Sequence, residues 1–220
     1  MKRLVKEHVE FLQECRRTVQ TTGAIGPSSR FLARTLARPF ERHPGPARIL
    51  EVGPGTGPVT RRILKLLKPG DHFDMVELNQ TFVDVLNRRF KDDPDFKPHA
   101  GRVKIHHLPI QEFQSEAPYD FIVSGLPFTN FPPELVRDIF GVFFRLLAPD
   151  GVLTYFEYMY MRRLRQAVSV GADRSRLAQL DDVLSEHAQR HRIRRHSVLR
   201  NMPPAWVHEL RHADQVAQHR

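Results

Sequence analysis

The chain has 220 residues, with 34 Lys and Arg against 25 Asp and Glu, and a formal net charge of +9. That length suits one domain with a full core, and the charge points either to an anionic partner, nucleic acid or an acidic membrane surface, or to a solubility charge on an arginine-rich protein. The longest apolar stretches, such as Ile139-Phe-Gly-Val-Phe-Phe144, are cut by Arg145 far short of the ~20 residues a membrane span needs. A single cysteine, Cys15, excludes an internal disulfide, and the charged start Met1-Lys-Arg-Leu-Val-Lys-Glu-His8 lacks the apolar core of a signal peptide. Both fit a cytoplasmic protein.

The first 20 residues form an amphipathic pattern. On a helix advancing ~100° per residue, Leu4, Val5, Val9, Phe11, Leu12, Cys15 and Val19 share one broad face. Lys2, Lys6 and Arg16 flank that face and Glu7, Glu10 and Glu14 lie opposite. Such a helix packs on the domain or lies on a membrane surface, its cations against anionic headgroups. The domain proper is expected over residues 21–220. Ser28 or Ser29 caps a predicted helix through Phe31–Phe40.

Next comes an apolar strand, Arg48–Val52, that runs into Gly53-Pro-Gly-Thr-Gly57. Predicted helices Val59–Leu67, Thr81–Phe90 and Pro133–Leu147 alternate with strands Phe73–Leu78, Val103–Leu108, Tyr119–Gly125 and Val152–Tyr158. Pro69-Gly70, Asp92-Asp93-Pro94 and Pro149-Asp150-Gly151 supply the breaks. This alternation argues for a layered α/β domain. The C-terminal part reads as a helix over roughly Arg174–Gln189 and two extended runs, Ile193–Leu199 and Ala205–Leu210. Asn201-Met-Pro-Pro204 joins the two runs as a reverse turn, so an antiparallel hairpin is expected.

The glycine turn carries the first chemistry. Gly53, Gly55 and Gly57 let the backbone approach a ligand where a Cβ would clash. There is no lysine-serine pair to make a phosphate loop. Glu51, on the strand just before the turn, would repel a dinucleotide pyrophosphate and attract a cofactor carrying an α-ammonium group. The residue types therefore favour S-adenosylmethionine over NAD. About 20 residues on, Glu77 closes Met75-Val-Glu-Leu78 and can accept hydrogen bonds from a ribose diol. The fourth strand ends Ser124-Gly-Leu-Pro-Phe-Thr-Asn-Phe131. Leu126-Pro127 fixes an extended backbone there, which sets Phe128 beside the transferred methyl.

Taken together, Thr22-Gly-Ala-Ile-Gly-Pro-Ser-Ser29, Glu51-Val-Gly-Pro-Gly-Thr-Gly57, Ser124-Gly-Leu-Pro-Phe128 and Asn130-Phe-Pro-Pro133 resemble the bacterial phospholipid N-methyltransferases. The resemblance covers roughly residues 10–160. It implies a Rossmann-like class I methyltransferase fold: a seven-stranded, mostly parallel sheet with a C-terminal antiparallel hairpin, helices on both faces and an N-terminal amphipathic helix. It also implies S-adenosylmethionine-dependent methylation of phosphatidylethanolamine and its methylated derivatives toward phosphatidylcholine. The enzyme would be peripheral at the inner face of the cytoplasmic membrane, held by residues 1–20. Glu51, Gly53, Pro54, Gly55, Gly57, Glu77, Leu78, Ile110, Gln111 and Ser124 would bind cofactor. Ser124, Leu126, Pro127, Phe128 and Tyr155 would line the methyl-transfer site. Relatives commonly carry Gly-Asp-Ala after the third strand; this chain has Leu108-Pro-Ile110, which leaves Gln111 as the side-chain contact to adenine.

An ammonium headgroup must lose a proton before attack, and Tyr155, Glu157 and Tyr158 on the fifth strand are candidate acceptors. Cys15 has no nucleophile's partner, and the twelve histidines show no metal spacing; His208 and His212 are four apart but fall partly in a strand. Two other functions compete. Adenine dimethyltransferases of ribosomal RNA share the acid–glycine turn and a Leu-Pro-aromatic element, and the basic run Arg190-His-Arg-Ile-Arg-Arg195 suits RNA as well as lipid phosphate. A catalytically silent protein that binds cofactor or membrane is the third.

Overall fold

The computed structural model describes residues 29–159 and 172–214. The predicted N-terminal helix, Cys15 and the segment up to Ser28 lie outside the described residues. In chain order the elements are α1 (Arg30–Leu36), β1 (Arg48–Val52), α2 (Pro58–Leu64), β2 (His72–Glu77), α3 (Gln80–Asp92), β3 (Val103–His107) and β4 (Tyr119–Ser124). There follow α4 (Pro133–Leu146), β5 (Leu147–Tyr158), α5 (Ala172–His191), β6 (Arg192–Val198) and β7 (Ala205–Leu210).

The strands form one seven-stranded sheet in the order β3-β2-β1-β4-β5-β7-β6. Strands β1 to β5 pair in parallel, and β7 runs antiparallel between β5 and β6. The central strands are buried on both faces, which is why they read as near-continuous apolar runs. Leu50, Val52, Val76, Ile122 and Tyr155 face a core closed by α4 and α5. Ile49, Phe73, Met75, Val123 and Phe156 face a second core closed by α1, α2 and α3. Helix α4 presents Leu135, Val136, Ile139, Phe140 and Phe143, a spacing that keeps them on one stripe, and all five are fully buried. Each such burial stabilises the fold by roughly 1.5–3 kcal/mol.

Helix α1 starts where Ser29 accepts a hydrogen bond from the Leu32 amide at 3.2 Å, but it ends at Leu36, short of the expected Phe40. Pro39 has no N–H to continue the ladder, and the chain turns into a 3-10 segment, Arg38–Arg42. Strand β5 begins at Leu147, five residues earlier than the sequence pattern suggests. Pro149-Asp150-Gly151 is not a break but a bulge: Tyr119 pairs with Leu147 while Phe121 already pairs with Val152. A Cβ at Gly151 would lie 2.9 Å from the Tyr119 carbonyl oxygen, so the bulge closes only around glycine.

Among the described residues, no helix is long and apolar enough to cross a membrane. The strand order reverses between β1 and β4, and ligands in open α/β sheets bind in the crevice beyond the carboxyl ends at such a switch point.

Candidate active site

At the carboxyl end of β1 the chain turns sharply, with Gly53, Gly55 and Gly57 at φ of 72°, 59° and 83°, values that L side chains rarely adopt. The Gly53 amide donates to the Val76 carbonyl at 2.9 Å, and the Gly125 amide donates to the Val52 carbonyl at 2.8 Å. The glycine turn is thus clamped between the ends of β2 and β4. The fit at β4 leaves no room: a Cβ on Gly125 would lie 2.5 Å from the Gly53 carbonyl oxygen. A Cβ on Gly55 would meet nothing within 4 Å, so that part of the turn faces open space.

Two carboxyls stand behind the turn. Glu77 is fully buried; it accepts from the Gly55 amide at 3.0 Å through Oε2 and from the Asn79 amide at 2.9 Å through Oε1. Expected as a ribose clamp at a strand end, it is seen here bracing the glycine turn. Glu51 is 1% exposed. Its Oε2 accepts from the Thr60 hydroxyl at 2.7 Å, while its Oε1 is buried with no hydrogen-bond partner. Burial pushes this carboxyl up to about 8, the Thr60 hydroxyl opposing the rise and Glu77 adding to it. A buried acid oxygen without a partner is suited to an arriving cation.

Beside the turn lies an apolar slot of about 30 Å³, lined by Val52, Gly53, Val76, Leu78, Leu108, Ile110, Leu126 and Ile139 among others. Its aliphatic lining suits the face of an aromatic ring. Ile110 opens the short 3-10 turn Ile110–Glu112. Gln111 is half-buried with Oε1 unpartnered, yet it does not line the slot.

The Ser124–Phe128 element splits in two. Ser124 is fully buried and its hydroxyl accepts from the Leu126 amide at 3.3 Å, which folds the chain over the end of β4. Leu126 reaches the slot. Phe128 does not: its ring is 1% exposed, with centroids 5.1 Å from Phe140 and 5.7 Å from Tyr155. Tyr155 is equally buried, stacked on His208 at 4.7 Å. The structure therefore places Phe128 and Tyr155 in an aromatic wall rather than on the open face of the crevice. Pro54 sits within the turn, and Pro127 opens the 3-10 segment Phe128–Asn130.

Sequence reasoning missed the neighbours that β7 brings in. His208 approaches Glu157 at 3.4 Å (Nε2 to Oε1), and Trp206 pairs across from Glu157. No local pattern gives these contacts; only the antiparallel register does. His212 lies apart from His208, on the Leu147 carbonyl, and no group of three or more His, Cys, Asp or Glu among the described residues is placed to hold a metal ion.

Residues 49–151 match a family described as a methyltransferase domain. Ornithine lipid N-methyltransferase of Singulisphaera acidiphila is 36% identical over 149 residues, 65% of this chain and 75% of that protein. Ribosomal RNA small subunit methyltransferase A of Parasynechococcus marenigrum is 37% identical over 90 residues, but these are 41% of this chain and 28% of that protein. An O-methyltransferase from Streptomyces achromogenes involved in tomaymycin synthesis, solved in complex with SAM, superposes with a TM-score of 0.59 at 16% identity, covering 92% of this chain and 90% of that one.

Proposed function

Because this chain belongs to the class I S-adenosylmethionine-dependent methyltransferases, and uses that cofactor, we propose that it N-methylates the amine of a lipid headgroup at a membrane surface, with phosphatidylethanolamine and its methylated forms as substrates. The observation that carries the reading is the match to a lipid N-methyltransferase along three quarters of that protein's length, against about a quarter for the ribosomal RNA enzyme.

The residues present fit the cofactor. The slot takes adenine between Val76, Leu78, Ile110 and Leu126. Glu77 takes the ribose diol. Gly53, Pro54, Gly55 and Gly57 admit the chain of the amino-acid part, and the unpartnered Oε1 of Glu51 meets its ammonium, directly or through water. When bound, the cofactor supplies a methyl on a positively charged sulfur, open to attack by an amine lone pair. Ser124 and Leu126, with Pro127 after them, shape the crevice end of β4, while Phe128 and Tyr155 support it from behind.

A lipid surface also suits the exterior. The turn between β6 and β7 projects beyond the carboxyl end of β5, since Ala205 pairs with both Tyr158 and Val198. It carries Leu199, 70% exposed, and Met202, 87% exposed, the two exposed large hydrophobics among the described residues. Arg200 and Arg30 both lie over the Phe31 ring close by, at 5.5 and 4.9 Å, and the Asn201 side chain accepts from the Ser29 amide at 3.1 Å. Apolar tips beside arginines are what an anionic bilayer surface accepts. A peripheral position at that surface is part of the proposal, with residues 1–20 as a second contact.

The test is methyl transfer from labelled cofactor to vesicles of phosphatidylethanolamine, vesicles of ornithine lipid and undermethylated ribosomal RNA in parallel. Label in mono-, di- or trimethylated phosphatidylethanolamine is expected. Label in ornithine lipid alone would change the substrate; label in RNA alone would overturn the lipid reading.

A further inference from the structure

A second cavity, of about 480 Å³, opens between α5 and the antiparallel edge of the sheet. It is many times the volume of the slot beside the glycine turn, with room for a small polar headgroup. Four of its walls carry polar chemistry. Glu157 and His208 are nearly buried, at 4% and 5% exposure, and lie 3.4 Å apart. Arg192 and Arg195 come from β6. The Arg195 guanidinium sits 4.4 Å over the Trp206 ring, which holds it at the rim. Negative and positive groups therefore face one space from different strands.

Side chains already described stand between that space and the crevice. Phe128, at the end of β4, meets Tyr155, and Tyr155 stacks on His208 at an interplanar angle of 15°. Glu157 is two residues beyond Tyr155 on the same face of β5, next to the strand's carboxyl end. An aromatic column thus runs from the methyl-transfer element to the Glu157–His208 pair.

We propose that this cavity is the acceptor subsite, for a headgroup that bears an amine and, a few bonds away, an anion. Glu157 and His208 take the amine; Arg192 and Arg195 take the anion, a phosphodiester or a carboxylate. One ammonium proton passes to the Glu157–His208 pair and leaves a lone pair on nitrogen. The N–C bond then forms as the S–C bond of the sulfonium breaks, and the positive charge moves from sulfur to the methylated nitrogen. The inference rests on the N-methylation reading for the reaction, but the binding of the zwitterion stands on the cavity alone.

The chain's single tryptophan is Trp206, in the wall of this cavity, so its fluorescence reports occupancy without turnover. Glycerophosphoethanolamine and Nα-acylornithine are titrated against the full-length protein, with ethanolamine and glycerophosphate as half-ligands. One of the two zwitterions is expected to saturate the signal at least tenfold more tightly than either half, and which one does so identifies the anion. Arg192→Ala and Glu157→Gln should each weaken that binding about tenfold, with affinity for S-adenosylhomocysteine held within twofold. In turnover, Glu157→Gln should lower kcat, and Glu157→Asp should restore part of it, which a merely structural role would not do. No saturable signal with either zwitterion, or a signal that survives both substitutions, overturns the subsite. A saturable, substitution-sensitive signal without methylation of any amino lipid keeps the subsite and removes the N-methylation reading instead.

Discussion

The two halves of the sheet make a ligand site by opposite means. In the parallel half, β3-β2-β1-β4, backbone does the shaping: three glycines with positive φ, amides clamped to Val76 and Val52, and a contact at Gly125 with no room for a methyl group. Its acids serve that backbone, Glu77 by binding the Gly55 amide and Glu51 by standing behind the turn. In the antiparallel half, β5-β7-β6, side chains do the shaping: an acid, an imidazole, a tryptophan and arginines around an open cavity. A surface made of backbone takes one ligand and tolerates no insertion. A surface made of side chains can be retuned by substitution, which suits the half that meets the acceptor.

Gly125→Ala tests the first half most severely. The new Cβ lands 2.5 Å from the Gly53 carbonyl oxygen, a backbone atom that cannot swing aside, so the glycine turn must shift. Overpacking of this kind costs roughly 1–3 kcal/mol, and at the upper end cofactor affinity falls about a hundredfold. Isothermal titration with S-adenosylhomocysteine measures it, and an unchanged dissociation constant would show that the backbone does not set this site. Binding to the antiparallel cavity should be unaffected.

Glu51→Gln has a smaller effect and a pH signature. The side chain keeps its shape but can no longer ionise against the arriving ammonium, so cofactor affinity should fall about tenfold to a hundredfold, the range of a charge-assisted hydrogen bond of roughly 1.5–3 kcal/mol. Without ligand the sign reverses. The folded carboxyl holds its proton to about pH 8 whereas the unfolded one releases it near 4.5. Between those values the folded state binds more protons, so stability falls as pH rises. Thermal melts of the wild type should decline across that window, and the variant's should lack that part of the decline. Identical slopes for both would mean that Glu51 is not the buried acid described.

Much of the parallel half can be read from the chain itself because its signals are local. Strand, glycine turn, helix and Glu77 follow one another within about thirty residues, and β1 runs over Arg48–Val52 as the apolar run indicates. The boundaries that moved did so for packing reasons: α1 stops before Pro39, and β5 continues through a bulge that closes around Gly151. Contacts between distant segments left no such trace. Asp74 on β2 accepts hydrogen bonds from Tyr119 and His106, both at 2.7 Å, and has His72 at the same distance. Burial raises this carboxyl, but the His106 and Tyr119 hydrogen bonds and the imidazole charges outweigh it and hold it below the usual range. Likewise, His208 meets Glu157 only through the register of β7 on β5. Phe128 has the right spacing for the crevice, yet its ring turns toward Phe140 and Tyr155, because an aromatic cluster was there to bury it.

The exposed turn extends the comparison to the outer surface of the antiparallel half. Replacing Leu199 and Met202 together by Asp removes two apolar tips and adds two negative charges beside Arg200. Partition onto anionic vesicles should drop about tenfold, a change of roughly 1.4 kcal/mol. Cofactor affinity should not change. Flotation that is equal for variant and wild type would remove this turn from the membrane contact.

The smallest effect concerns how the two halves respond to acid. His187 on α5 stacks on Phe140 at 4.3 Å, and His191 lies 4.1 Å from Phe144, so the helix that covers the antiparallel edge rests on imidazole rings. Burial lowers His187 to about 4, with His191, Arg137 and Arg190 adding to the fall and Glu186 opposing it; burial lowers His191 as well. The folded value lies below the unfolded one, so between about 4 and 6.5 the unfolded chain binds more protons. Stability is intact above 6.5 and is lost as pH falls through that window. Solvent around a half-buried ring reduces the loss to roughly 1 kcal/mol. His187→Gln should therefore flatten the fall in stability between pH 7 and pH 5. Hydrogen exchange at pH 5 should show α5 and β7 losing protection while β1, β2 and β4, whose buried neighbours are mainly aliphatic and aromatic, keep theirs. Simultaneous loss along the whole sheet would mean that the two halves open as one unit, and that their division of labour is chemical without being mechanical.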